Sequence, residues 1–415
     1  MKIVYLLNSI GNTGGAIVLY NFIENLVNRK YEVYIVTPSI CLRWEKGTRE
    51  KILTSKEIQS KEKRNYSILR RFLKSTVGKK VVASDEWFER VGLINATKQI
   101  VKNFREEVKN CDILVCTLWT TAFAAYFLAD KVSKIFYHIQ QYEELLSPES
   151  KIKREYARMT YFYPFHLITN STWVKNILQR VFNKPSYLVC PGIDLNVFYP
   201  NTDYKVKYNS TKQRFLISSF VDAKRKFKGS GDLFEVINIL NREIGKDRVL
   251  FRLFGFSIPS YYSQIENVEF EGIIPHRKLR DFYSSTDLFI WPSWYESFPL
   301  PPIESMASGT ALVSTQFGTE DYAVDGYNSY VVLPRSPVKL AEKVVTALDN
   351  IKETGKLVEN ALLTVKQFCW EKQTDKLEQI FNEAECIEIS SELNWLVESL
   401  INGKNIEQVN ERIIK

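Results

Sequence analysis

Short apolar runs rich in β-branched and aromatic residues recur along this chain, and each is followed by a stretch with helical spacing. In the first half the runs are Ile3–Leu7, Glu32–Thr37, Asp112–Cys116, Lys134–His138, His166–Thr169 and Tyr187–Cys190. In the second half they are Arg214–Phe220, Val249–Phe254, Val268–Glu271, Leu288–Trp291, Ala311–Ser314 and Tyr330–Leu333. Strands alternating with helices predict βαβ units and parallel sheets. Near-continuous apolar runs such as Leu288–Trp291 suit strands buried on both faces. Residues 338–385 carry apolar side chains at i, i+3 and i+4 (Leu340, Val344, Val345, Ala347, Leu348) and predict helix. A further helical pattern, SSELNWLVESLI, follows Cys386 and stops at Gly403.

At 415 residues the chain is long enough for two domains, each doubly wound in the manner of a Rossmann fold. The polar stretch from Pro200 to about residue 212 lacks apolar periodicity and is expected to be the linker. The expected organisation is an acceptor-side domain over 1–200, a donor domain over 201–375 and a helical tail over 376–415 packing back on the first domain. Two such domains are expected to leave a cleft, with ligands at the carboxyl ends of the strands.

Hydrophobic residues at 45% and charged residues at 25% give the balance of a soluble globular protein. Six scattered cysteines without a CxxC pair argue for a reducing compartment and against a disulfide scaffold or zinc site. Met1–Leu7 reads as a strand rather than a signal peptide, and no run approaches the ~20 apolar residues of a membrane span. A cytoplasmic location is expected. The net charge of +8 is concentrated between Arg43 and Lys80, where thirteen Lys/Arg face four Asp/Glu. Within it, Tyr66–Val77 has the pattern of a basic amphipathic helix, which makes an anionic membrane surface a candidate partner of residues 43–80. No nucleic-acid reading motif accompanies it, so no nucleic-acid partner is expected.

The segment richest in chemistry is WPSWYESFPLPPIESMASG, Trp291 to Gly309. It follows a buried strand, turns through prolines and enters a helix at about Pro301–Pro302, where the first N–H groups lack intrahelical partners. The helix start turns its amides and positive dipole end toward whatever lies above the strand. Glu296 stands in the turn and Glu304 within the first turn or so of the helix, and carboxylates suit sugar and ribose hydroxyls.

In this frame, Glu296 and Glu304 form an E-x7-E pair that resembles the donor motif of retaining GT-B glycosyltransferases of the family 4 type. The resemblance implies a GT-B fold, a nucleotide diphosphate sugar as donor, Glu296 on donor-sugar hydroxyls and Glu304 on the ribose. Phe298 and Leu300 fall in the same donor-binding motif. Pro299 stands where glycine is common, which removes one amide donor to the sugar.

Other segments fall where the family has them. Gly11–Ala16 (GNTGGA) follows the first strand, and Gly14 and Gly15 would let main-chain amides approach a diphosphate or the acceptor. Phe220–Gly229 (FVDAKRKFKG) resembles the family's Arg-then-Lys-Gly loop, whose cations neutralise the departing diphosphate. Lys228 with Gly229 matches; the expected Arg is absent, and Lys224 or Arg225 is the substitute. GTEDYAVDGYNSYVVLP resembles the segment closing the donor pocket, with Glu320 near the nucleotide or sugar and Ser329 in place of a usual Gly. His138, at a predicted strand end, matches the family histidine near the donor sugar.

The implied reaction moves a sugar to an acceptor hydroxyl of a glycan, lipid-linked sugar or glycoconjugate with retention of configuration. Glu296, His138 and Lys228 are the catalytic candidates. Helix starts and cations would stabilise charge on the leaving diphosphate. No nucleophile is evident for a covalent intermediate and no DxD metal clamp appears, so front-face, metal-independent transfer without a cofactor is expected. The alternatives, ranked below it, are a sugar phosphorylase or nucleotide-sugar epimerase on the same fold, a nucleotide-binding protein without turnover, and a nucleic-acid binder using the basic segment.

Overall fold

The structure, a computed structural model, describes residues 1–54 and 85–387 except positions 12, 133, 148, 202 and 211. The basic helix expected over Tyr66–Val77 and the helical pattern that ends at Gly403 lie outside the described residues. The chain divides into two units. Unit 1 holds Met1–Asn170, Lys175–Val189 and the residues from Thr374; unit 2 holds Ser171–Val174 and Cys190–Gln373.

Unit 1 is built on seven strands: β1 (Lys2–Leu6), β2 (Glu32–Val36), β3 (Cys41–Arg43), β4 (Ile113–Cys116), β5 (Lys134–Ile139), β6 (His166–Thr169) and β7 (Tyr187–Leu188). Their order is β3-β2-β1-β4-β5-β6-β7, and every pairing is parallel except β2 with β3. The reversal of order at β1 and β4 is that of a doubly wound sheet. The central strands are fully buried along Ile3–Leu6 and Ile113–Cys116, which is why they read as unbroken apolar runs. The edge strand β3 was not expected, because three half-exposed residues are too few to show an alternation. The helix Gly14–Asn28 starts on Thr13, whose side chain accepts from the Ala16 N–H at 3.3 Å. It buries Val18, Leu19, Phe22, Ile23 and Leu26 at helical spacing.

Within this unit, described residues after Thr374 pack against Arg29 and against β5. The Arg29 guanidinium pairs with Asp375 and Glu378, each at 2.6 Å, and Phe381 meets Phe136 of β5 at 4.8 Å between ring centroids. The Lys134 ammonium donates to the Phe381 carbonyl at 3.2 Å.

Unit 2 is a six-stranded sheet, parallel throughout: β8 (Phe215–Asp222), β9 (Val249–Ser257), β10 (Val268–Phe270), β11 (Leu288–Trp291), β12 (Ala311–Thr315) and β13 (Tyr330–Val332). The order is β10-β9-β8-β11-β12-β13, with the reversal at β8 and β11. Its core joins Ile217, Val221, Phe251, Leu253, Ile290 and Val313 to the inward faces of helices Ser230–Glu243 and Pro337–Asp349. The helical stretch expected over 338–385 is three helices, Pro337–Asp349, Ile351–Val365 and Trp370–Glu383.

The expected linker is corrected by the structure. Tyr204–Asn209 is a helix, and its Tyr208 is buried in unit 2, which begins its long run at Cys190. The Tyr208 hydroxyl donates to the Asp287 carbonyl at 2.6 Å and accepts from the Ala311 N–H at 2.8 Å. The Lys207 ammonium donates to the carbonyls of Ser284 (3.3 Å) and Gly309 (3.1 Å). One anchoring ring in so short a helix leaves no periodicity to read.

Replacing Tyr208 by Phe leaves the buried Ala311 N–H without its acceptor, and is expected to cost about 1–3 kcal/mol. A lower melting temperature of the transition belonging to unit 2 checks this; an unchanged one contradicts it.

Candidate functional site at the strand ends of unit 2

The site is assembled from the main chain outward. Strand β8 ends at Asp222, whose carboxylate holds the following turn: it accepts from Arg225 Nε at 2.5 Å and from the Lys224 N–H at 3.2 Å. The Arg225 guanidinium also lies over the Phe256 ring, 5.5 Å from its centroid. The Lys224 side chain is exposed. The turn Lys226–Lys228 closes on Gly229, whose φ is +70° and whose added Cβ would stand 2.0 Å from the Pro292 carbonyl oxygen. Only glycine permits that approach. Phe227 then offers its carbonyl to the Trp294 N–H at 2.7 Å and to the Ser293 hydroxyl at 3.0 Å.

This docking brings Lys228 against the end of β11. Its ammonium pairs with the Glu296 carboxylate and lies 5.5 Å from the Trp291 ring centroid and 5.7 Å from those of Phe220 and Phe227. Glu296 is fixed from its other side as well: its N–H donates to the Phe317 carbonyl at 3.2 Å. Gly318 has φ +96°, and a Cβ there would stand 2.3 Å from the Glu296 carbonyl oxygen.

The helix expected near Pro301–Pro302 is Leu300–Ala307, with Pro299 at its start held by the Tyr322 hydroxyl, which donates to the Pro299 carbonyl at 2.9 Å. Glu304 therefore lies beyond the first turn. It is buried, and the Tyr283 hydroxyl donates to its Oε2 at 3.2 Å. Burial pushes its carboxyl up to about 7, and the Tyr283 hydrogen bond opposes that in part. Burial also raises Glu320, but its carboxylate is taken by its own turn, accepting from the Gly318 N–H at 2.6 Å. The Tyr322 phenol is raised by burial and then by the negative potential of Glu296, Asp321, Glu320 and Glu304, so these carboxylates gather around one ring. Phe298 turns its side chain into a ring cluster with Tyr322 (5.0 Å) and Phe368 (5.8 Å). Leu300 is the first residue of the helix and partly exposed.

The structure thus brings together Lys228, Glu296, Glu304, Glu320, Phe298, Leu300 and, on the same loop as Lys228, Lys224 and Arg225. The sequence reading missed Asp222, Tyr283 and Tyr322, which hold these groups. Asp222 and Tyr322 lay inside the motifs FVDAKRKFKG and GTEDYAVDGYNSYVVLP; Tyr283 lay in neither.

Gly14, Gly15 and His138 belong to unit 1. Gly14 and Gly15 open the helix after β1, and a Cβ at either would meet nothing within 4 Å. His138 is the fifth residue of β5 rather than its last, fully buried, with its ring 5.6 Å from Phe22. Neither ring nitrogen has a hydrogen-bond partner among the described residues. Burial lowers it to about 4, so the ring is neutral at neutral pH. Just beyond, Glu143 is a buried acid to which the sequence reading gave no role. It accepts from the Tyr137 hydroxyl at 2.6 Å and the Trp119 N–H at 2.7 Å, and burial pushes it up to about 8. Among the described residues no group of three or more His, Cys, Asp or Glu is placed to hold a metal ion. No described helix is long and apolar enough to cross a membrane.

Two parallel-sheet units, with acids and a lysine gathered at the strand ends of the second, define a GT-B type protein. Residues 12–197 match the family Glycosyltransferase Family 4, and residues 215–350 match Glycosyl transferases group 1. The chain belongs to the GT-B glycosyltransferases of the family 4 type. Among its relatives, an uncharacterized glycosyltransferase of Methanocaldococcus jannaschii is 23% identical over 52% of this chain and 59% of its own. A D-inositol 3-phosphate glycosyltransferase of Corynebacterium diphtheriae is 25% identical over 54% of this chain and 57% of its own. The chain spans about half the length of the curated relatives it matches. Sucrose-phosphate synthase from Thermosynechococcus elongatus shares the fold with TM-score 0.69 and 16% identity, covering 92% of this chain and 98% of that one. Anabaena HepE, solved in complex with UDP-glucose, does so with TM-score 0.65 and 16% identity, over 92% and 100%.

Glu304 and His138 act on stability in opposite pH directions. Glu304 rises from its ordinary 4.5 to about 7, so the stability it contributes is full below 4.5 and is lost as pH rises through 7. His138 falls from 6.5 to about 4, so its contribution is present above 6.5 and lost as pH falls through 4. Glu304→Gln is expected to remove a loss on the order of 2–3 kcal/mol between pH 5 and pH 8 in the ligand-free protein. Glu143 gives a further loss, through about pH 8, that this variant keeps. Melting temperatures of both proteins across that range check the difference.

Proposed function

We propose that this chain transfers a sugar from a nucleotide diphosphate sugar to an acceptor hydroxyl of a glycan, lipid-linked sugar or glycoconjugate. The observation that carries the reading is the docking of the Lys226–Gly229 turn on Pro292, which puts a lysine and two glutamates at the carboxyl ends of β8 and β11. That is where ligands bind in open parallel sheets. Family membership supports the reading, as does HepE, a neighbour solved with UDP-glucose and with UDP and glucose.

In this proposal Lys228, with Arg225 or Lys224, meets the diphosphate. The geometry favours Lys224 for a mobile contact, because Arg225 is already held by Asp222 and Phe256. Glu296 accepts donor-sugar hydroxyls, Glu304 accepts ribose hydroxyls, and the main chain of Phe298 and Leu300 lines the same end of the sheet. Glu320 serves by shaping the turn at Gly318. Gly14, Gly15 and the neutral His138 are assigned to the diphosphate and acceptor side; the open space at both glycines means that the fold itself does not require them there. Charge developing on the leaving diphosphate is met by fixed cations and N–H groups, without a metal and with retention of configuration. The basic residues 43–80 are proposed to meet an anionic membrane surface, with the reaction on the cytoplasmic side.

Thermal-shift measurements with UDP, GDP, ADP, TDP and CMP, with and without Mg²⁺, test the donor site. One diphosphate is expected to raise the melting temperature, by about 2.7 kcal/mol of stabilisation at 100 times its dissociation constant. The rise is expected to vanish in Lys228→Ala and Glu304→Ala and to be indifferent to Mg²⁺. No rise with any nucleotide contradicts the assignment.

A further inference from the structure

Lys228 and Glu296 are assigned to opposite ends of the donor, the diphosphate and the sugar, yet here each is the other's partner. We propose that this ion pair makes the site discriminate between the complete nucleotide sugar and the free nucleoside diphosphate left after transfer. The inference rests on the donor-site reading above.

The pair is poorly hydrated. The Lys228 and Glu296 side chains are 13% and 17% exposed, and the rings of Phe220, Phe227 and Trp291 surround the ammonium. The buried Trp291 Nε1–H has no partner among the described residues. Separating two charges in such surroundings leaves each uncompensated, which is far more costly than at an open surface. The ring cage lets the ammonium be shared rather than lost: cation–π attraction holds it near the loop whichever anion it faces.

The consequences differ for the two ligands. A free diphosphate competes with Glu296 for Lys228, and on winning leaves the carboxylate with only the Ser293 hydroxyl, 3.4 Å away and closer to the Phe227 carbonyl at 3.0 Å, as a side-chain partner among the described residues. No other described cation forms an ion pair with Glu296, and Arg225 is held by Asp222. A complete donor takes Lys228 with its diphosphate and returns hydroxyl donors to Glu296, so both charges stay satisfied. Once the sugar has left, Glu296 reclaims the ammonium and the diphosphate loses its cation. The pair thus favours donor entry and product departure with one contact.

Calorimetric titration of the full chain with UDP, GDP, ADP and TDP, and with the glucose conjugate of each, tests this in wild type, Glu296→Gln and Glu296→Asp. Gln removes the charge with little change of shape; Asp keeps the charge but withdraws it by one methylene from Lys228. If about nine-tenths of the lysine is paired at rest, freeing it tightens diphosphate binding about tenfold. Both variants are expected to bind the diphosphate more tightly than wild type, Gln by that amount and Asp by several-fold, while neither gains affinity for the conjugate. Tightening in Gln alone is simple charge repulsion and overturns the proposal. So does equal diphosphate affinity in all three proteins, which leaves the donor-site reading intact, and so does a matching gain for the conjugate. Absence of binding by every ligand to every protein overturns both readings. Melting curves of the variants establish that each is folded before titration.

Discussion

The Lys226–Gly229 turn lies so close to Pro292 that a single added carbon at Gly229 would collide with a carbonyl oxygen. The rest of the site hangs on that approach. It sets the Phe227 carbonyl where the Trp294 N–H and Ser293 hydroxyl both reach it, and so ties the loop after β8 to the loop after β11. A second close approach, Gly318 on the Glu296 carbonyl, ties the loop after β11 to the loop after β12. Glu296 is therefore held between two neighbours by main chain, and its side chain alone is left for chemistry.

Each unit also buries an acid beside a tyrosine. Tyr283 holds Glu304 in unit 2, and Tyr137 holds Glu143 in unit 1, each acid raised well above its ordinary range by burial. A phenol is a neutral donor, so it steadies a carboxylate's orientation without cancelling its cost of ionisation. An arginine partner would instead have held Glu304 charged and paired.

The sequence made the sheets legible because their central strands are buried on both faces and read as unbroken apolar runs. It missed β3, three residues long at an edge, and it took Tyr204–Asn209 for linker because one buried tyrosine does not make a period. Within the site, Glu296, Glu304 and Lys228 stood out through their local frame. What they touch did not: the Lys228–Glu296 pair joins residues 68 positions apart, and Tyr283 reaches Glu304 across 21. Such pairings are set by strand order, which no local pattern displays. Phe298 shows the opposite limit. Its place in the motif was readable, but the burial of its ring against Tyr322 and Phe368 depends on two distant segments.

Unit 1 is discontinuous in sequence, and this bears on how the protein comes to be folded. Arg29 has two carboxylate partners, and Phe136 one of its ring partners, in residues after Thr374. Domains commonly fold in the order in which they leave the ribosome. Here the first sheet to emerge waits without the Asp375 and Glu378 carboxylates and the Phe381 ring until all of unit 2 has been synthesised. The unit begun first is thus completed last.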